Sequence, residues 1–315
     1  MIRLIPFEFG KVWRKRSFLL AVCALLLVHG FLLWYTTIPE EGVPPLSAYG
    51  TLQRELLGKS EEEKGEYLEN WREELQGICF VRDVLSMESF DSEMGGSLAR
   101  QEREAHPGLF ETYYGRYESG DYLRFTDSLE RETALLEEVY EEWEQVAGYG
   151  EYLDSIQADR ELLGGISVFS GEKGGGDGYG RRNLLKSAED YEGLSDEGIC
   201  FVPSRGVAGA MENSWMDLLL FLSVLLFVGT LITEEKERGL FFVTRSTRRG
   251  ILPAMGAKLA ALLIHCLLLA ALFYLVSFGF FGAATGGFPL GAPVQSLASC
   301  LSGPLPLSIL EYLVF

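Results

Sequence analysis

Three stretches of the chain are apolar almost without interruption, and the polar residues fall between them. Ser17 to Tyr35 is nineteen residues with no acidic or basic side chain. Met216 to Thr233 is a second run, with only Asp217 at its outer edge, and Leu259 to Gly282 is a third. A helix of ~20 residues, rising ~1.5 Å per residue, crosses the roughly 30 Å hydrocarbon core of a bilayer. The pattern therefore predicts transmembrane helices over 17–37, 215–233 and 259–282. The first run is longer than a usual signal-peptide core, and the TTIPEEG that follows offers no small-x-small cleavage site, so it is expected to stay as an anchor. Residues 305–315 begin another apolar run too short to span. It is expected to be the start of a truncated fourth helix, which would make the chain the front part of a longer protein.

From Pro39 to Ser214 the pattern becomes that of a solvated helical domain. Ser60 with Glu63 three residues on forms a capping box, and Glu61, Glu62 and Glu63 suit the positive end of a helix dipole. Tyr67, Trp71 and Leu75 then recur four apart on one face. A second helix is expected from Thr126 or Asp127, with Leu129, Leu135, Leu136, Val139, Tyr140, Trp143 and Val146 as its apolar stripe. Tyr152, Leu153, Ile156, Leu162 and Leu163 extend the stripe past two glycines. Core packing is the expected fate of these aromatics, and a solvated face that of the neighbouring glutamates. The fold expected is thus an all-α membrane protein: three full transmembrane helices plus the start of a fourth, with a mainly helical extracytoplasmic domain after the first.

Charge supplies the orientation. Acidic residues outnumber basic ones 45 to 27, for a net charge of −18. A nucleic-acid binder needs the opposite sign, and none is expected as a partner. Residues 1–16 carry five basic residues against Glu8, and the 234–258 loop carries six against Glu234, Glu235 and Glu237. The long 38–214 segment has a net charge of −23. By the positive-inside rule residues 1–16 and the 234–258 loop are cytoplasmic, while 38–214 and 283–304 lie outside. Ile2, Ile5, Phe9, Val12 and Trp13 form an apolar stripe beside Lys11, Arg14, Lys15 and Arg16. This suits a helix in the inner interface with its cations towards anionic lipid.

Motifs for chemistry are lacking. Gly171 to Gly180 has no strand–turn–helix context for a dinucleotide and is expected to be a flexible loop. Gly58-Lys59-Ser60 lacks the earlier glycine of a phosphate loop, because that position is Gln53. The five cysteines show no C-x-x-C spacing, His29, His106 and His265 no HExxH partner, and there is no G-x-S-x-G elbow. No cofactor, metal or enzymatic activity is expected of the chain. His29 and His265 fall inside the spans, where a neutral histidine hydrogen-bonded to a neighbouring helix is the favoured reading over a functional one. The pentapeptide Gly77-Ile78-Cys79-Phe80-Val81 recurs as Gly198 to Val202. The copies are either two short strands that pair or a coincidence of apolar sequence. Their Cys79 and Cys200 are candidates for a disulfide, because both fall in the segment expected outside.

After the second span, EEKERGLFFVTRSTRRGILPAMGAKL runs from acids through Gly239 and an apolar patch (Leu240, Phe241, Phe242, Val243) to a basic Ser/Thr stretch and Lys258. An apolar patch between charged flanks is costly unless it docks on a membrane or a partner. This loop resembles the one between the second and third spans of type-2 ATP-binding-cassette permeases. The FEFGKVWRKR before the first span and Arg182 to Tyr191 are similar to large-ectodomain members of that family. The resemblance implies the permease subunit of an exporter in the cell membrane, with six spans in the whole protein and ATP hydrolysis in a separate ATPase subunit. It also implies a dimer of permease subunits or halves. Glu234, Glu235, Glu237, Gly239, Leu240, Phe241 and Phe242 would form the surface that couples to the ATPase. Two alternatives stand beside it: a mechanotransmission permease acting on an outer partner, and a membrane-anchored sensor or adhesion protein.

Overall fold

The computed structural model describes residues 4–89, 93–158, 186, 189–191, 194, 198–237, 239 and 251–314. Among them the fold is all-α, with an isolated bridge between Pro293 and Ser308 and no β-sheet. Three helices are long and apolar enough to cross a membrane, and the protein is a multi-pass α-helical membrane protein in that sense. The Gly171–Gly180 stretch, Leu162, Leu163, most of Arg182 to Tyr191, and Leu240 to Arg249 lie outside the described residues.

The chain divides into two compact units, the first made of residues 1–38 and 207–284. In it α1 (Ile5–Trp13) opens with Pro6 in its first turn, where a missing N–H costs nothing. A break at Lys15, which is extended, separates it from α2 (Arg16–Thr36). Val12, Phe18, Val22, Phe227, Leu269 and Phe273 form a buried cluster that joins α1 to the spans. The N-terminal stripe was expected to lie in the inner interface; Val12 is fully buried and Phe9 and Trp13 pack against this cluster. Leu20, Leu27 and Phe31 of α2 point outward, as lipid-facing residues do.

The second unit comprises residues 39–206 and 285–315. Its helices are α3 (Leu46–Leu56), α4 (Glu61–Ser89), α5 (Glu93–Ala105), α6 (Pro107–Ser119), α7 (Leu129–Ala147) and α8 (149–158). The 29-residue α4 is the axle on which α5, α6 and α7 pack. Its capping box forms as the spacing predicts: the Glu63 N–H donates to Ser60 Oγ at 3.2 Å, and the Ser60 N–H to the Glu63 carboxylate at 2.8 Å. Helix α7 starts slightly later than expected, because Ser128 is the residue whose hydroxyl accepts from the N–H of Arg131.

Trp71, Leu75 and Ile78 of α4 meet Leu135, Leu136 and Val139 of α7, all essentially without exposure. Burying each such side chain contributes about 1.5–3 kcal/mol. Two glycines set how closely the helices approach. A Cβ on Gly65 would lie 2.5 Å from the Trp143 ring, and one on Gly77 2.3 Å from the Tyr113 ring. Only hydrogen fits at either position.

The repeated pentapeptide does not form paired strands. Gly77 to Val81 lies inside α4, whereas Gly198 to Val202 is a non-helical segment that begins at a left-handed glycine (φ +81°). After it come α9 (Arg205–Met211), α10 (Ser214–Glu237) and α11 (Ile251–Thr285), the last two being the second and third long apolar helices. Both overrun the apolar runs that predicted them. The chain after Thr285 folds back through 3-10 turns at Val294–Ser296 and Ala298–Cys300 to a short α12 (Ile309–Val314). Tyr191 donates to the Ser302 carbonyl, and the Cys200 N–H donates to Ser296 Oγ at 3.2 Å, so this segment belongs to the helical domain.

Candidate functional site

The residues picked out at the end of the second span lie in a cluster of ion pairs within the first unit. Helix α10 carries Glu234, Glu235 and Glu237 at its C-terminal end, where carboxylates meet the negative end of the helix dipole. Four segments converge there: α1, the start of α2, the end of α10 and the start of α11. Lys11 lies 3.1 Å from both carboxylate oxygens of Glu8, one helical turn before it. The same ammonium stands 3.8 Å from Glu235, whose other oxygen accepts from Lys258 at 2.5 Å. Lys15 reaches Glu234 at 2.9 Å. The side chains of Lys11, Glu8 and Glu234 keep less than a tenth of their exposure. Three carboxylates and three ammonium groups thus form a neutral clasp.

Cations from α1, α2 and α11 compensate Glu234 and Glu235 within the chain. The network is costly to open, since removing one member of a buried pair typically costs about 3–5 kcal/mol. Glu237 is exposed and has no ion pair among the described residues. Gly239 is left-handed (φ +65°), and its N–H donates to the Lys236 carbonyl at 3.3 Å, which ends the helix where only glycine is unstrained. Leu240, Phe241 and Phe242 fall outside the described residues.

The two histidines in the spans bond to neighbouring helices. His29 Nε2 of α2 lies 3.0 Å from Ser277 Oγ and 3.3 Å from the Phe273 carbonyl of α11. His265 Nε2 lies 3.4 Å from the Ser223 carbonyl of α10, with its ring stacked on Phe227 and edge-on to Trp13. A carbonyl accepts only, so both contacts call for a proton on Nε2. Leu25, Leu222, Leu225, Leu226, Gly229, Thr230 and Thr233 line an open apolar groove of about 540 Å³ between α2 and α10.

In the helical domain the polar groups tie loops to helices. Glu74 of α4 takes Arg116 at 2.5 Å and Arg124 at 2.6 Å. Fully buried Glu132 accepts the backbone N–H groups of Arg124, Phe125 and Thr126, holding the turn before its own helix. Glu142 accepts from both the N–H and the hydroxyl of Ser204, and burial pushes its carboxyl above the ordinary range. Tyr49 donates to Glu138, and Tyr67, which donates to Glu55, is pushed up to about 12, chiefly by burial.

Cys79 and Cys200 are both free, half-buried thiols; Cys79 packs against the core, and burial raises its thiol above the usual value. Nothing in the sequence showed that the clasp's lysines pair with Glu234 and Glu235. Of the pairs, the Glu8–Lys11 spacing alone was visible locally; the others join residues far apart in the chain. No family model, curated protein or solved structure matches the chain.

Proposed function

We propose that the chain is the membrane-spanning subunit of an ATP-binding-cassette exporter, with the 234–258 loop cytoplasmic and docked on a separate ATPase. The observation that carries this reading is the clasp. It roots both ends of that loop, through Glu235 and Lys258, on the same buried ion pairs that hold α1 and α2. A force applied to the loop is then felt by all three spans together, which is what coupling hydrolysis to a transmembrane movement requires. In this reading Glu234 and Glu235 transmit, while Glu237, Gly239 and the Leu240–Phe242 patch make contact. The subunit itself hydrolyses nothing, and it works as a dimer of subunits or halves. A second reading, a mechanotransmission permease acting on an outer partner, draws support from the 29-residue α4, a rod of about 43 Å in a domain with its own core.

The experiment is affinity purification of the tagged protein from its native membrane, with ATP hydrolysis measured in the eluate. Glu237→Lys should remove the ATPase activity while leaving the protein inserted and folded. A wild-type eluate without ATPase activity would overturn the reading in favour of a membrane-anchored sensor or adhesion protein. Labelling of Ser246→Cys by an impermeant maleimide on intact cells would overturn the orientation.

A further inference from the structure

Helix α1 presents two faces, and only one is used by the fold. Glu8 and Val12 are buried, with Phe9 and Trp13 half-buried against the spans. Pro6, Phe7, Gly10 and Arg14 form the opposite ridge at the three- and four-residue spacing of one helix face. Phe7 is 59% exposed. A Cβ on Gly10 would lie 3.6 Å from Arg14 Nε, so the exposed Arg14 side chain lies back along this ridge. Arg16, exposed, opens the first span two residues later.

The cations of this end divide sharply. Lys11, Lys15 and Lys258 each hold a glutamate of the clasp. Arg14 and Arg16 have no ion pair among the described residues, and both are exposed. We infer that Arg14 and Arg16 form a binding site for the phosphate of an anionic phospholipid. Both arginines stand at or just before the first turn of an apolar span, the part of a spanning helix that meets headgroups. Their planar donor forks match a phosphate bidentately, which a lysine cannot do. Because the clasp is internally neutral, the charge of this face comes from the two arginines, and an anion is its complement. Phe7, whose exposed ring carries the Lys11 ammonium 5.0 Å from its centroid, adds apolar surface for the upper acyl chain, as interfacial helices do. The inference does not depend on the permease reading.

The test uses the full chain in mixed micelles containing equal phosphatidylglycerol and phosphatidylcholine, with retained lipid identified by native mass spectrometry. Wild type should retain phosphatidylglycerol preferentially. Arg14→Gln with Arg16→Gln should lower that preference about 10- to 30-fold, as expected for two surface cations. Arg72→Gln, which removes one cation from α4, should leave it unchanged, and circular dichroism should show both variants folded. The inference is overturned if wild type shows no preference, if the double variant keeps it, or if Arg72→Gln loses as much. Loss of ATPase co-purification in the double variant with lipid preference intact would assign the ridge to a protein partner instead.

Discussion

Glu235 lies between two lysines at unequal distances, and this makes the clasp testable by asymmetry. At 2.5 Å from Lys258 and 3.8 Å from Lys11, the gross attractions at an effective dielectric of about 20 are about 7 and about 4 kcal/mol. Desolvation offsets most of both, so the single variants measure what remains unbalanced. Lys258→Gln leaves Glu235 with Lys11, and because Lys258 keeps a quarter of its exposure the expected cost is about 1–2 kcal/mol. Glu235→Gln leaves Lys11 and Lys258 together without their shared carboxylate and should cost about 3–4 kcal/mol. The double variant should cost less than the sum, with a coupling of about 1–2 kcal/mol. Unfolding of the purified protein by SDS titration, followed by circular dichroism, gives the four free energies of the cycle. Glu237→Gln is the control and should stay within about 0.5 kcal/mol of wild type. A coupling below about 0.5 kcal/mol, or a Lys258 variant as damaged as the Glu235 variant, would refute the clasp and with it the rigid rooting of the 234–258 loop.

Other outcomes follow from single positions. Gly77→Ala should destabilise the helical domain by about 1–3 kcal/mol, while Gly115→Ala, where a Cβ meets open space, should not; thermal melts of the two compare directly. Leu135→Ala, at a fully buried position, should cost about 2–5 kcal/mol in the same assay. Glu142 binds its proton more tightly folded than unfolded, so its contribution is present at low pH and is lost as pH rises from the ordinary carboxyl range upward. Glu142→Gln should remove that slope from the stability-against-pH curve, and an unchanged slope would contradict the buried geometry at Ser204. Ser277→Ala should weaken the bundle by roughly 0.6–1.7 kcal/mol through the lost contact with His29.

What was legible in the sequence was what is decided within a few residues, or by one-dimensional counting. The spans follow from run length, and Ser60 with Glu63 caps α4 because both partners are three residues apart. The α7 stripe was legible for the same reason, since its period needs no knowledge of a partner. The clasp was not, because Lys11 and Glu235 meet only after the spans have packed. Nor was the burial of Val12: an apolar stripe beside cations suits a lipid interface and a helix bundle equally, and the sequence does not say which surface arrives first. The same blindness covers Gly65 and Gly77. A glycine inside a helical pattern reads as a weak point, and only the ring of Trp143 or Tyr113 turns it into a requirement.

The repeated Gly-Ile-Cys-Phe-Val makes the limit concrete, since identical residues take two conformations in one domain. In the first copy Glu74 and Leu75 precede it and Val84 follows, so Ile78 and Val81 join a helical stripe already under way and are fully buried. Before the second copy comes Glu197, and Pro203 follows it. The proline disfavours helix at the residue before it and contributes no N–H of its own. The chain there is held instead from outside: the Phe201 carbonyl accepts from Lys64 at 3.2 Å, its N–H donates to Glu61 at 3.2 Å, and the Phe201 ring enters the core. Both anchors come from the first turn of α4, the turn that the Ser60–Glu63 box nucleates. A five-residue preference of either kind is thus smaller than the combined effect of one flanking proline and two charged anchors. Replacing Glu61 and Lys64 together with Gln should release the second copy while leaving the first unchanged. Hydrogen exchange at Phe201 that stays as slow as in wild type would mean that core packing of its ring, rather than these two bonds, holds the segment in place.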